Sequence, residues 1–244
     1  MTSEPPAPEP SGPVQPGPLP SAEQPPPRWG IPTAIGSLLG FIILSNGVVI
    51  GLSTVGVDST TAQIVAILVG WLSLGGWPLL AARRRGNGPR SDFALAFRPR
   101  DLGIGLLAAL VVYVAGAVYL VVYLSLTGAE PTSALGTTAE GAGASWQVVV
   151  LAVQALCAPF VEELHFRGLW WGALRRRGLA TWLTLLVTAL LFAVVHFEPT
   201  RVVFLFAAGL ACGFVRMRTG RLGPAIVTHF LVNLLAAVGL LSLL

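Results

Sequence analysis

Seven stretches of this chain are too apolar and too long to fold in lipid as anything but helices. They run over residues 31–53, 62–82, 102–126, 147–167, 179–197, 202–217 and 223–244, each near the length of about 20 residues that crosses the hydrocarbon core. No water meets a free N–H or C=O there, so a crossing segment must satisfy its own backbone, as an α-helix does. The chain is 54% apolar and 11% charged, far below the roughly 25% charged share of soluble domains. The expected fold is all-α: a polytopic transmembrane helix bundle of about seven spans, with the lipid bilayer as its surroundings.

Eleven of the 19 prolines fall in the first 28 residues. Such a stretch buries too little apolar surface to fold, and residues 1–30 are expected to be a disordered Pro-rich tail, open to an unidentified partner. Residues 31–100 then hold two spans and a basic loop, and residues 101–244 the membrane core. All 15 basic residues are arginine. They cluster in the loops after spans two, four and six, while the loops after spans one and three have none. Positive-inside puts those arginine loops and the N-terminus in the cytoplasm, as in a multi-pass protein of a bacterial cell membrane; Arg201 alone falls on the other side. Short clusters between apolar spans are not a nucleic-acid footprint, so no nucleic acid is expected. Trp29, Trp146 and Trp182 fall at span edges, as in an aromatic belt. Cys157 and Cys212 lie inside expected helices, with no disulfide or metal spacing.

Against this background the segment FVEELHFRG, residues 160–168, is costly. Each ionised side chain costs roughly 2.5–3.5 kcal/mol at a helix centre, so Glu162, Glu163 and Arg167 need partners. Glu163 and Arg167 are i,i+4 neighbours and pair on one face; Glu162 points about 100° away and stays free for chemistry. All three histidines lie in the last 80 residues. His196 ends FAVVH, and His229 begins HFLVN with Asn233 one turn later on the same face. His165, three residues after Glu162, is expected at the cytoplasmic interface. Gly209 and Gly213 form a small-xxx-small pair that helix packing explains.

EELHFR, FAVVH and HFLVN, in this order on successive spans, resemble the EExxxR, FxxxH and HxxxN motifs of the CPBP family, the type II CAAX prenyl endopeptidases and their bacteriocin-processing relatives. The segments FALAFRPRDLGIGL and RTGRLGPAIVTHFLVN look like those that flank the motifs in that family. The resemblance implies an intramembrane endopeptidase acting on a membrane-associated peptide or protein. Glu162 and His196 would activate water, His229 and Asn233 would stabilise the oxyanion, and Glu163 and Arg167 would support them. The chemistry is coherent by itself, since peptide hydrolysis needs a base for water and donors where charge develops. Members of that family are also called metalloproteases, and Glu162, His196 and His229 would make a His₂Glu zinc set. The metal-free reading is preferred, because no HExxH is present and Asn233 is a poor zinc ligand. A non-catalytic immunity or scaffold protein and a proton-coupled transporter are the other readings of the same polar residues.

Overall fold

The computed structural model describes residues 25–133, 137 and 144–241; residues 1–24 of the Pro-rich segment and the side chain of Trp146 lie outside the described residues. Every regular element described is a helix. Helix α1 (Ile31–Thr54) pairs with a second run made of α2 (Ser59–Trp71), a π-helical turn (Leu72–Gly76) and α3 (Trp77–Arg85). Asp58 starts that run by accepting from the Thr61 N–H at 2.9 Å, which satisfies one free donor of the helix end. A short α4 (Pro89–Asp92) leads to the long α5 (Arg100–Thr127), which stops where Gly128 adopts φ 69°.

The motif-bearing helices follow. Helix α6 (Ala144–Leu156) breaks at Cys157, and α7 (Ala158–Glu163) continues through a second π-helical turn (Leu164–Trp170) into α8 (Trp171–Arg176). Pro159 explains the break, since it has no N–H to donate and its ring crowds the preceding turn. Cys157 is thus an exposed turn residue rather than a helix-interior one. After α9 (Thr181–Val194) and a 3-10 turn (Pro199–Arg201), α10 (Val202–Thr219) and α11 (Gly223–Leu241) complete the chain. Helix α10 packs on α5, α9 and α11, and α11 also packs on α5, α6 and α7.

Five helical runs are long and apolar enough to cross a membrane: Ile31–Thr54, Ser59–Arg85, Arg100–Thr127, Val148–Arg176 and Pro199–Thr219. Helix α9 and the stretch Gly223–Gly239 are apolar but shorter. The fourth span does not end near Arg167, as the sequence suggests, but runs on to Arg176. Residues 163–171 are all buried, so this helix is walled by protein on every side there rather than by an amphipathic contact. By contrast α5 turns Leu107, Val111, Val114 and Val121 outward, each more than 60% exposed, as a lipid-facing helix does.

The arginines collect at one end. Arg28 N–H donates to the Arg85 carbonyl, Arg176 to the Trp29 carbonyl, and Arg221 pairs with the buried Asp101 at the start of α5. Arg201 lies at the other end, paired with Glu198 at 2.7 Å and bonded to Ser133. Trp182 is exposed, as a belt residue should be, but Trp29 is not. It is buried, donates to Asp92 at 2.8 Å and lies 3.6 Å beneath the Arg176 guanidinium, because a neighbouring cation offered its ring a better contact than headgroups do.

Helices α5 and α11 approach closely at Gly105. A Cβ on Gly105 would meet the Val227 side chain and stand 3.0 Å from the Thr228 backbone nitrogen. Gly105→Leu is expected to separate these helices at a cost of about 1–3 kcal/mol, whereas Gly103→Leu, with nothing within 4 Å of its Cβ, should be silent. Thermal unfolding of the two variants in detergent checks the difference.

Candidate active site

Glu162 lies midway along Val148–Arg176, about 21 Å of helix from either end at roughly 1.5 Å per residue. The chain turns at 177–180 and climbs back through α9, so His196, in the turn just past Val194, arrives level with Glu162. Counting along straight spans would have left the two at different depths. The longer fourth helix and shorter fifth remove the mismatch. His229 comes from only six residues inside α11, past the α10–α11 turn, yet reaches the same level. Arg216, near that turn, already bonds the Arg167 carbonyl at 3.2 Å.

Glu162 Oε2 stands 3.8 Å from His196 Nε2 and 3.8 Å from His229 Nε2. It is buried and has no hydrogen-bond partner. The ring tautomers follow from the opposite nitrogens. His196 Nδ1 lies 2.6 Å from the Phe192 carbonyl and His229 Nδ1 lies 2.9 Å from Glu163 Oε1. Both partners accept only, so each Nδ1 carries the proton and, in the neutral rings, each Nε2 presents a lone pair. Three acceptors therefore converge across gaps too long for direct bonds. A water molecule has the protons to share among them.

One oxygen of the second carboxylate is already occupied. Glu163 Oε1 accepts from Arg167 Nη1 at 2.9 Å as well as from His229, and Arg167 Nη2 donates to the Gly209 carbonyl at 2.7 Å. Both Glu163 and Arg167 are fully buried. The expected division between a paired Glu163 and an unpaired Glu162 is what the geometry displays. Gly209 has a second use that the sequence did not reveal. A Cβ there would stand 3.1–3.2 Å from Ala189 of α9, and its carbonyl receives the arginine. Phe192, the aromatic of FAVVH, lies 4.5 Å from the His196 ring, 5.5 Å from the His229 ring and 4.9 Å below the Arg167 guanidinium.

Asn233 lies one turn above His229, but its amide donates to the Gln154 carbonyl of α6 at 3.3 Å rather than to the gap beside Glu162. His165 is not an interface residue and does not bond Glu162. It is wholly buried between Ser37 and Trp170, because the π-helical turn points it inward, toward α1. A cavity of about 340 Å³ opens beside α7, lined by Leu102, Leu106, Leu156, Pro159, Val227 and Phe230; Pro159 is three residues from Glu162, and Phe230 follows His229.

A zinc ion needs three or four ligand atoms at about 2.0–2.3 Å. Among the described residues, the potential ligand atoms within 4.8 Å of one another belong to Glu163, Cys212 and His229; Glu162, His196 and His229 form no such group. In the former set Glu163 already holds Arg167 and the His229 Nδ1 proton, so an ion would have to displace both. The gap beside Glu162 instead presents one carboxylate oxygen and two ring nitrogens, the oxygen 3.8 Å from each, which are the ligand types of a His₂Glu set.

Residues 144–235 match the family model of type II CAAX prenyl endopeptidase Rce1-like proteins. The match runs from the start of α6 past Asn233, so it holds the whole constellation, and it supports a CPBP/CAAX-type intramembrane protease. No curated protein and no solved structure matches the chain.

The two carboxylates should respond differently to loss of charge. Glu163→Gln leaves the Arg167 charge buried and unpaired, which commonly costs about 3–5 kcal/mol, and it should lower both yield and thermal stability. Glu162→Gln removes no existing bond and should unfold at the wild-type temperature. Parallel melting curves of the purified variants distinguish them.

Proposed function

We propose, on the premise that residues 144–235 are a CAAX-type intramembrane protease segment, that the protein hydrolyses a peptide bond in a membrane-associated peptide or protein with water activated by Glu162 and His196. The partnerless Glu162 Oε2, set 3.8 Å from each of two histidine nitrogens, is the observation that carries this reading. Glu163, by contrast, is held through Oε1 by both Arg167 and His229.

In the proposed step the Glu162 carboxylate takes a proton from water while His196 Nε2 holds its second hydrogen. The resulting hydroxide attacks the scissile carbonyl carbon. Negative charge then develops on the carbonyl oxygen, where His229 and Asn233 donate. His229 donates through Nε2 as an imidazolium, with its Nδ1 proton held by Glu163. Asn233 exchanges the Gln154 carbonyl for the oxyanion; catalytic bonds that are long or diverted without substrate commonly tighten in the complex. The proton on Glu162 passes to the departing amine, which completes hydrolysis. The apolar cavity beside Pro159 offers the substrate's membrane-embedded flank a side approach. By the positive-inside rule the arginine-rich end, with the N-terminus, is cytoplasmic.

The decisive experiment is cleavage of membrane peptides by purified protein in detergent, with the metal content of the same sample measured. Wild type is expected to cleave after exhaustive chelation and Glu162→Gln to be inactive. Loss of activity on stripping, with rescue by about one equivalent of zinc, would overturn the metal-free mechanism. Asn233→Ala should reduce kcat by about 10²–10³-fold with KM little changed.

Topology has its own test. In a cysteine-free background, a cysteine at Ser3 should react with reagent only from the cytoplasmic side and one at Ser133 only from outside. Cytoplasmic labelling of Ser133 would reverse the assigned orientation.

A further inference from the structure

Helices α1 to α3 lie outside the family match, yet a buried polar chain joins them to the helix that carries Glu162. Trp170 Nε1 donates to His165 Nε2 at 3.0 Å. An indole N–H only donates, so His165 Nε2 accepts and its proton is on Nδ1. That proton faces Ser37 Oγ at 3.3 Å, with the Leu74 backbone also bonding the ring, and the Ser37 hydroxyl goes on to the Ser73 carbonyl at 2.7 Å. Ser73 answers by donating its hydroxyl to the Ser37 carbonyl at 2.9 Å. His165 and Ser37 are wholly buried, and no polar atom of either is left over. Both ends of this clasp are π-helical turns, Leu72–Gly76 and Leu164–Trp170, a local structure that occurs mostly at functional sites. The first turn also packs on α7 just before the second, since a Cβ on Gly75 would stand 3.2 Å from Val161 Cγ1.

On its other side His165 continues into the site through rings. Its centroid lies 5.0 Å from that of Phe166, edge to face, and Phe166 lies 5.4 Å from Phe192. Phe192 in turn touches the rings of both His196 and His229 and accepts the His196 Nδ1 proton. The series Ser73, Ser37, His165, Phe166, Phe192 is therefore a continuous packed path from the N-terminal helices to the two imidazoles that face Glu162.

We propose that His165 is a positioning residue: through Ser37 and Phe166 it lets α1 and the Leu72–Gly76 turn set where His196 and His229 stand relative to Glu162. This rests on the catalytic reading of those three residues. Packed paths of discrete bonds transmit displacement rather than absorb it. A misplacement of about 1 Å at reacting groups can cost on the order of 10²-fold in rate.

The test uses the full-length protein with ¹⁵N-labelled histidine. With three histidines in the chain, each ring can be followed separately. Ser37→Ala takes one acceptor from His165, leaving it the Leu74 backbone, without touching the catalytic rings, and Ser73→Ala loosens the same clasp more gently. Both are expected to stay folded, to move the ring ¹⁵N signals of His196 and His229, and to lower kcat toward the 10²-fold scale with KM unchanged. His165→Asn, which keeps a donor near the Nδ1 position, should retain turnover that His165→Phe loses. Unmoved His196 and His229 signals with full kcat per folded molecule, and only a lower melting temperature, would make the chain mere packing and overturn the proposal. Should wild type cleave no peptide, the catalytic reading fails, while the ring signals still decide whether His165 positions the two histidines.

Discussion

The interior of this bundle is organised around one ion pair, Glu163 with Arg167. Neither side chain is exposed, so each would be prohibitive alone. Their geometry also draws in three other helices. Glu163 holds His229 of α11, Arg167 holds the Gly209 carbonyl of α10, and the guanidinium lies over Phe192 of α9. The pair fixes the rotation of the motif helix and the tautomer of His229, and leaves Glu162 facing the remaining space. Its i,i+4 spacing is thus the local rule on which the non-local arrangement rests.

What the sequence made legible was whatever depends on spacing along a helix or on partition between water and lipid. The apolar spans, the arginine-poor loops, the i,i+4 pair and the free Glu162 are all of that kind. The all-helical architecture follows from them, and so does a shortlist of polar residues that need one another. The relation of His196 to Glu162 was not legible, because it depends on where Pro159 breaks one helix and how soon α9 ends. Both effects shift depth by several residues, and an apolar run conceals them.

His165 and Trp29 were misplaced for a related reason. An amphipathic ring near a span edge reads as an interface residue when its partners are unknown. The partners here, Ser37 and Arg176, lie 128 and 147 residues away in sequence, and nothing local to either ring announces them. Gly209 shows the converse. Its small size was read correctly as a packing device, but the carbonyl exposed by that close approach is a binding group that no side-chain pattern encodes.

The stretch from Glu163 to Trp171, walled by protein on every side, divides mechanical duties within the bundle. Outer helices such as α1 and α5 present apolar rows to the hydrocarbon, and they must tilt or bend when its thickness departs from their own. The enclosed stretch meets no acyl chain and has no such boundary condition. Thickness mismatch is therefore absorbed at the periphery, and it reaches the Glu162 cluster only through the few side chains that bridge the two layers. A bundle built this way can pass between bilayers of different composition, or into a micelle, with the dimensions of its polar centre preserved.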